Sequence, residues 1–456
     1  MSAKALDLNL GAGPDRSTAA LILLGGLVGC LSALLAVMLG PAALGVPVLA
    51  VIALLLVRHP LVLFVVFGHI GLFKQEPVIE ALPFDATVAL GILLLAVCLQ
   101  RVLSRRATAP PFMFLVPLLV IAILMAISLN WTPVPDYGLS KTLRFVTLTS
   151  IGAFAPFCLL ESRDDLIRLL KVFAGCALVA GLLVGVFGST AAENRLEFGG
   201  AANTIFTSRF LLSGALVLIL GAMLKVFPRH RVPLALLGLV LVGLAAGIGS
   251  RGPIVGLVLA MVCTLAAVVL RQPARVLPVL AIVAAGIALF PFISLPETSA
   301  ERLQGLAENP VGTLNEDLRS RLYGKAIELT QDYPQRGIGT GGFFLYSYVL
   351  TNREERYPHN VFLETSSELG LFPAVLLAAS VLLMLIGLYR RAWGASTEAD
   401  RNLVYVIGGL FLLNFFAAQF SGDFNDNRTF WALLGVGWWV AVRGVPEPQA
   451  GRPETR

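Results

Sequence analysis

Charge is what this chain has least of: 14% of its 456 residues are Asp, Glu, Lys or Arg, against 57% hydrophobic residues and a mean hydropathy of +0.82. A soluble domain carries nearer a quarter of charged residues, so a soluble globule is excluded. Cysteine is sparse and unpatterned. Cys30, Cys98, Cys158, Cys176 and Cys263 all lie inside apolar runs with no paired spacing, which excludes a disulfide framework and leaves them as small buried hydrophobes. No acidic cluster has metal-ligand spacing, so no metal and no cofactor is indicated. No paired internal repeat is present either. What is present in quantity is apolar runs of helical length separated by short clusters of Arg, Pro and Gly. They argue for an all-α, polytopic integral membrane bundle; a β-barrel would instead alternate in period two over about ten residues.

The hydropathy pattern predicts about fourteen spans, near residues 18–39, 41–57, 59–73, 82–102, 111–130, 140–160, 166–187, 204–224, 232–249, 253–270, 276–295, 366–389, 402–420 and 428–442. Only Arg58 and His59 separate the second from the third, which a re-entrant hairpin would also explain, so the expectation is 12–14 transmembrane helices. The chain is accordingly divided into N-terminal transmembrane helices (1–295), a long polar loop with short helices (296–365), C-terminal transmembrane helices (366–443) and a disordered tail (444–456). Leu27, Val28, Gly29 and Cys30 look like a lipoprotein cleavage box, but the apolar run continues past Cys30, and an uncleaved first helix is expected.

Basic residues set the orientation. With both termini cytoplasmic, twenty of the 34 Lys and Arg fall on the inner side, and half of the remaining fourteen lie in the one long loop, where the positive-inside rule has little force. The net charge of +6 is then mostly a cytoplasmic collar, and no nucleic-acid partner is needed to explain it. The long loop and His359 fall on the outer face.

Outer-side cations are the informative charges. Arg251 sits in the turn Gly249, Ser250, Arg251, Gly252, Pro253; it reads either as a ligand-facing cation or as a snorkelling interfacial arginine. Lys141 and Arg144 lie one turn apart at the outer end of the sixth span, Arg195 in a polar loop, and Arg209 one turn into the eighth span. Cations inside a span need partners or a wet cavity, and Asp85, Asp423 and Asp426 are candidate partners.

Within the long loop, Leu318, Leu322, Ala326 and Leu329 recur at helical spacing, which predicts a surface helix over 314–330. Next come Gly337, Gly339, Gly341 and Gly342. Their spacing is not that of a phosphate loop, and a flexible turn explains them better than an anion site. His359 follows, with Glu364 and Glu368 on one helical face just beyond it. Those carboxylates suit orienting His359, pairing with outer arginines, or exposure to water; His359 itself suits either a helix-capping role or acid–base work. His59 and His230 sit beside cytoplasmic arginines and His69 lies in an apolar span, where a neutral, hydrogen-bonded ring is the default.

One imidazole and several arginines on the same membrane face suit a lipid with a diphosphate head: guanidinium groups grip the diphosphate and the neutral His takes a proton from a hydroxyl. The turn Ser250–Arg251–Gly252, then Arg321 ahead of Asp332, Tyr333 and Pro334 with Gly337 and Gly339, then His359–Asn360 with Leu363, Glu368, Leu369 and Gly370, resemble the O-antigen ligase and polymerase superfamily over roughly residues 190–380. The resemblance implies a metal-independent, inverting glycosyltransferase of polysaccharide biosynthesis at the periplasmic face of the bacterial inner membrane. Its donor would be an undecaprenyl-diphosphate-linked glycan. His359 would be the general base, with Arg251 and Arg321 on the diphosphate; Lys141, Arg144, Arg195, Arg209, Glu364 and Glu368 are added from placement as substrate-binding candidates.

Two acceptors fit that reading: the next lipid-linked repeat unit for a polymerase, or lipid A core of lipopolysaccharide for a ligase. The extra spans lean toward the polymerase, for which a flippase and a chain-length regulator would be further partners. A transporter of lipid-linked sugar is the alternative from another class; charges gathered on one face, where a path would need them across the midplane, argue against it.

Overall fold

A computed structural model describes residues 45–73, 82, 84–191, 195–197, 204–273, 318–351 and 357–445. The chain divides into two compact units, Met1–Pro60 and Leu61–Arg456. In the first, α1 (Gly45–Arg58) is apolar along its whole length up to the closing Arg58. The spans expected at 18–39 and 276–295, the box at Cys30 and the tail from 446 lie outside the described residues.

The larger unit is a helical bundle. It contains α2 (Pro60–His69), followed by a 3-10 turn (Ile70–Phe73), α3 (Ala86–Leu103), α4 (Phe112–Ser128) and α5 (Pro135–Arg144). A π turn over Phe145–Thr149 joins α5 to α6 (Ser150–Leu159); α7 (Arg163–Phe187) then leads into a hairpin of two three-residue antiparallel strands, β1 (Ser189–Ala191) and β2 (Arg195–Glu197). Next come α8 (Thr204–Met223), α9 (Arg231–Ile248), α10 (Arg251–Arg271), α11 (Leu318–Asp332), α12 (Phe343–Thr351), α13 (Val361–Leu369), α14 (Leu371–Trp393), α15 (Glu398–Ala417) and α16 (Arg428–Arg443).

Six described helices are long and apolar enough to cross a membrane: Ala86–Leu103, Pro135–Leu159, Arg163–Phe187, Thr204–Met223, Gly252–Arg271 and Leu371–Trp393. The fold is a polytopic all-α membrane protein. Its sequence patterns explain which faces are inside. In α4, Phe114, Leu118, Ile121 and Met125 recur on one face and are buried, while Leu119, Ile123 and Ile127 on another face are exposed. The same holds for Ile92 and Leu99 of α3, Leu182 and Val186 of α7, and Val258 and Val262 of α10. Exposed apolar area on this scale is the surface that lipid tails cover. α8 and α16 are buried nearly throughout, with Trp431 and Trp439 of α16 sealed inside.

Two helix boundaries depart from the hydropathy reading. The span expected over 366–389 is split at Gly370 (φ +95°), so α13 is a separate short helix and the membrane-length helix begins at Leu371. A hydropathy window cannot see that break, because Leu369 already begins the apolar run. The span expected over 140–160 starts earlier, at Pro135, and carries the π turn, whose Thr149 hydroxyl donates to Asn425 Oδ1 (3.0 Å).

The loop helix expected over 314–330 is α11, Leu318–Asp332. Leu322, Ala326 and Leu329 are buried in a small core with Ile338 and Phe343, so the helical spacing of those residues does mark the inward face.

Candidate active site at one end of the bundle

The helix ends that begin α3, α5, α8, α10, α14 and α16, and that finish α4, α7 and α15, lie at the same end of the bundle. Most of the residues that the sequence reading assigns to the outer side gather at this end. Its hub is the segment from Ala417 to Asn427, which joins α15 to α16 and is dense in Asn and Asp.

His359 stands just before α13 with φ +60°, a left-handed conformation that side chains other than glycine seldom adopt and that clusters at functional sites. The neighbouring residues hold it there. Asn360 caps α13, its Oδ1 accepting from the amides of Phe362 and Leu363 (both 3.0 Å), so the cap belongs to Asn360 and His359 is left outside it. The Val361 amide donates to Ala418 O (3.2 Å) and Asn360 Nδ2 to Gln419 O (3.3 Å). The Tyr357 ring meets the imidazole edge to face, centroids 4.7 Å apart.

Gln419 also receives the hydroxyl of Tyr323 from α11 (2.8 Å), two residues after Arg321, which is exposed on that helix. From the third side, Gly252 at the start of α10 lies so close to Phe420 that a Cβ there would approach its Cβ to 3.3 Å. Arg251 opens that helix after the left-handed Gly249 and the N-cap Ser250. The backbones carrying Arg251, Arg321 and His359 therefore converge on the turn from Ala418 to Phe420, although the three residues are spread over more than a hundred positions of sequence.

Beneath the turn lies a buried ionic group. Lys141 Nζ is 2.6 Å from Glu364 Oε1 and 2.6 Å from Glu368 Oε2, and all three side chains are at most 3% exposed. Of the roles open to the two carboxylates in the sequence, neither exposure nor pairing with arginine is the arrangement found: one lysine takes both. Burial, opposed by Lys141 and reinforced by Glu368 and Asp423, pushes the Glu364 carboxyl up to about 8.

Arg209, also buried, donates through Nη1 to Asn427 Oδ1 (2.6 Å) and through Nη2 to the carbonyls of Ala417 and Ser421 (both 3.2 Å). Asp426 faces Arg428, Arg144 and Arg209; burial and then Asp423 raise its carboxyl to about 7 against those three cations. Asp85, another partner considered from the sequence, caps α3 through the amides of Thr87 and Val88. The Tyr357 phenol is pushed up by burial and then by Asp426, Asp423 and Glu364, so the ring that touches His359 also faces both acidic groups. Arg195 lies in β2, paired with Ala191 in the hairpin before α8.

The glycine-rich turn is neither flexible nor an anion cradle. Its amides are engaged: Ile338 with Ser367 O and Gly339 with Glu368 O (both 2.9 Å), Thr340 with Ser128 Oγ (3.0 Å). Gly337 (φ +62°) and Gly339 (φ +94°) sit where a Cβ would strike the Glu368 carbonyl and the Thr132 backbone. The turn latches α13 to the end of α4.

Sequence reasoning missed Tyr357, Gln419, Asn425 and Asn427; the one available signal was the polar density of 419–427 between two apolar helices. His69 keeps the neutral pattern expected of it, Nδ1 donating to Val65 O (2.8 Å) and Nε2 accepting from the Thr429 hydroxyl (3.2 Å). Among the described residues no three His, Cys, Asp or Glu side chains gather as metal ligands, and Cys98, Cys158, Cys176 and Cys263 are free thiols.

Comparison with known proteins adds a partial family match. Residues 236–378 match the O-antigen ligase family model. The match supports the O-antigen ligase and polymerase superfamily, and with it a membrane enzyme of that type. It spans α10, α11, the glycine-rich turn, His359 and α13, the elements that meet at the hub. No curated protein matches. A solved structure described as "Structural coordination of polymerization and crosslinking by a peptidoglycan synthase complex" is 19% identical, with 75% of this chain and 99% of that chain covered and a TM-score of 0.41; a likeness that distant adds nothing to the assignment.

Proposed function

We propose that the protein is a glycosyltransferase that moves a glycan from undecaprenyl diphosphate to a sugar hydroxyl at the periplasmic face of the bacterial inner membrane. The observation that carries the proposal is the convergence of three elements on one turn: the His359–Asn360 segment, the helix bearing Arg321 and the helix that Arg251 opens. His359 serves as general base for the acceptor hydroxyl. As the hydroxyl oxygen bonds to the anomeric carbon from the face opposite the diphosphate, the carbon–oxygen bond to the diphosphate breaks and its electrons leave with the phosphate, inverting the configuration. Arg251 and Arg321 offer paired N–H donors to that departing charge, where a divalent cation would otherwise be needed.

The strained backbone at His359 supports a residue held for chemistry, since a capping role is already filled by Asn360. Lys141, Glu364 and Glu368 belong to this reading as the group that fixes α13 beneath His359. Arg144 and Arg209 belong to it as the cations facing Asp426 beside the turn. The lean toward a polymerase over a ligase rests on the number of spans expected from the sequence, and the two differ only in the acceptor.

The test is a purified assay in detergent with donor and acceptor and no membrane compartments, where linkage requires chemistry and a flippase gives none. His359→Ala should lower transfer by about 10²–10⁴ while the protein stays folded and still binds donor. Arg321→Lys should impair turnover because a point charge lacks the fork geometry. Wild-type turnover in His359→Ala removes His359 from the chemistry.

A further inference from the structure

At the opposite end of the larger unit, α14 and α16 finish side by side, and a cavity of about 230 Å³ opens between them and the start of α15. Arg390, Arg391 and Arg443 line it, together with Ser396 and Asp400. Asp400 is already engaged, its Oδ1 taking Arg163 Nε (2.7 Å) and its Oδ2 the Thr397 hydroxyl (2.6 Å). Arg391 is fixed in the wall, donating through Nε to Ala441 O (3.0 Å) and through Nη2 to Val442 O. Arg390 and Arg443 are exposed, and among the described residues none of the three pairs with a carboxylate. Among the described residues the one carboxylate in the lining, Asp400, is taken by Arg163, which leaves the three arginines as an excess of positive charge.

Its depth in the bilayer is marked by aromatic residues. Tyr389 and Trp393 are exposed with their rings 5.7 Å apart beside the cavity, and the Arg271 guanidinium stacks 4.6 Å over Trp393. Exposed Tyr and Trp of this kind sit at headgroup level. From there toward the bilayer centre, α14 turns Leu382, Leu383 and Ile386 outward.

A cationic cavity at headgroup depth above an apolar outward stripe has the outline of an anionic lipid. We propose that this cavity binds the phosphate headgroup of an anionic membrane phospholipid, with the acyl chains lying along Leu382, Leu383 and Ile386 of α14. A free phosphate shares the headgroup chemistry but makes no use of the apolar stripe. The site is separate from the His359 group and does not depend on the function proposed for it.

The experiment uses the full chain purified in detergent, with native mass spectrometry to count bound lipid and thermal unfolding to weigh its effect. Phosphatidylglycerol should be retained and raise the Tm, while phosphatidylcholine should do neither. Arg390→Gln with Arg443→Gln should weaken phosphatidylglycerol binding by about tenfold or more with an unchanged lipid-free Tm. Ser396→Glu, which places a carboxylate in the cavity, should do the same. Equal binding of phosphatidylcholine, wild-type binding by these variants, or an equal Tm rise from inorganic phosphate alone would each overturn the proposal.

Discussion

At the end of the bundle that holds Arg101, Arg163 and Arg391, guanidinium groups lie near the surface and meet simple local partners: Arg101 with Glu161, Arg163 with Asp400, Arg391 with two carbonyls at the end of α16. At the His359 end, Lys141, Arg209, Glu364, Glu368, Asp423 and Asn427 are all buried; Lys141 takes both Glu364 and Glu368, and Asn427 accepts from Arg209 while donating to Asp423 O. The difference is one of solvation. Water screens the first set, so each pair is worth little and can be exchanged; the second set was taken out of water, so removing one partner leaves an uncompensated buried charge. A membrane protein needs the first arrangement for orientation. The second costs stability and is understandable where chemistry on a charged substrate needs a fixed polar frame.

Lys141→Met should break this contrast most strongly. It leaves two carboxylates buried without their cation, and a loss of about 3–5 kcal/mol is expected in unfolding measured in detergent. Gly339→Ala should follow, at about 1–3 kcal/mol, since its Cβ would meet the Thr132 backbone at φ +94°; near-wild-type stability would show that the latch can yield.

The third effect is a pH dependence. The folded carboxyls of Glu364 and Asp426 are raised to about 8 and about 7, above their values in an unfolded chain. Folded protein therefore keeps protons that the unfolded chain releases, and stability should fall as pH rises from about 4.5 to 8. The Tm measured across that window should decline, and Glu364→Gln should flatten the decline; an identical slope in the variant would refute the assignment. Smallest of all, Arg163→Gln at the opposite end should cost less than about 1 kcal/mol. A loss as large as that of Lys141→Met would erase the contrast between the two ends.

Much of the architecture was readable because it follows from local composition. Apolar runs such as Phe112–Ser128 and Arg163–Phe187 must form helices in lipid, where each backbone amide needs an internal partner, and Leu322, Ala326 and Leu329 announced the inward face of α11 by their spacing. The break at Gly370 was not readable, because a conformation is not a composition. For the same reason the glycine-rich turn read as flexible: its rigidity comes from Ser128, Thr132 and Glu368, which are distant in sequence.

By itself the sequence determined that the chain is a helical membrane protein, and which residues could carry charge to one end of it, since burial in lipid is a property of each segment alone. Only the tertiary structure decided that Lys141 answers both Glu364 and Glu368, that Asn360 caps α13 while His359 stays outside the cap, and that Gln419 joins α11 to the His359 turn. Hydrogen bonds and ion pairs act over about 3 Å, so which groups meet depends on how the helices pack, and no single segment of the chain contains that information.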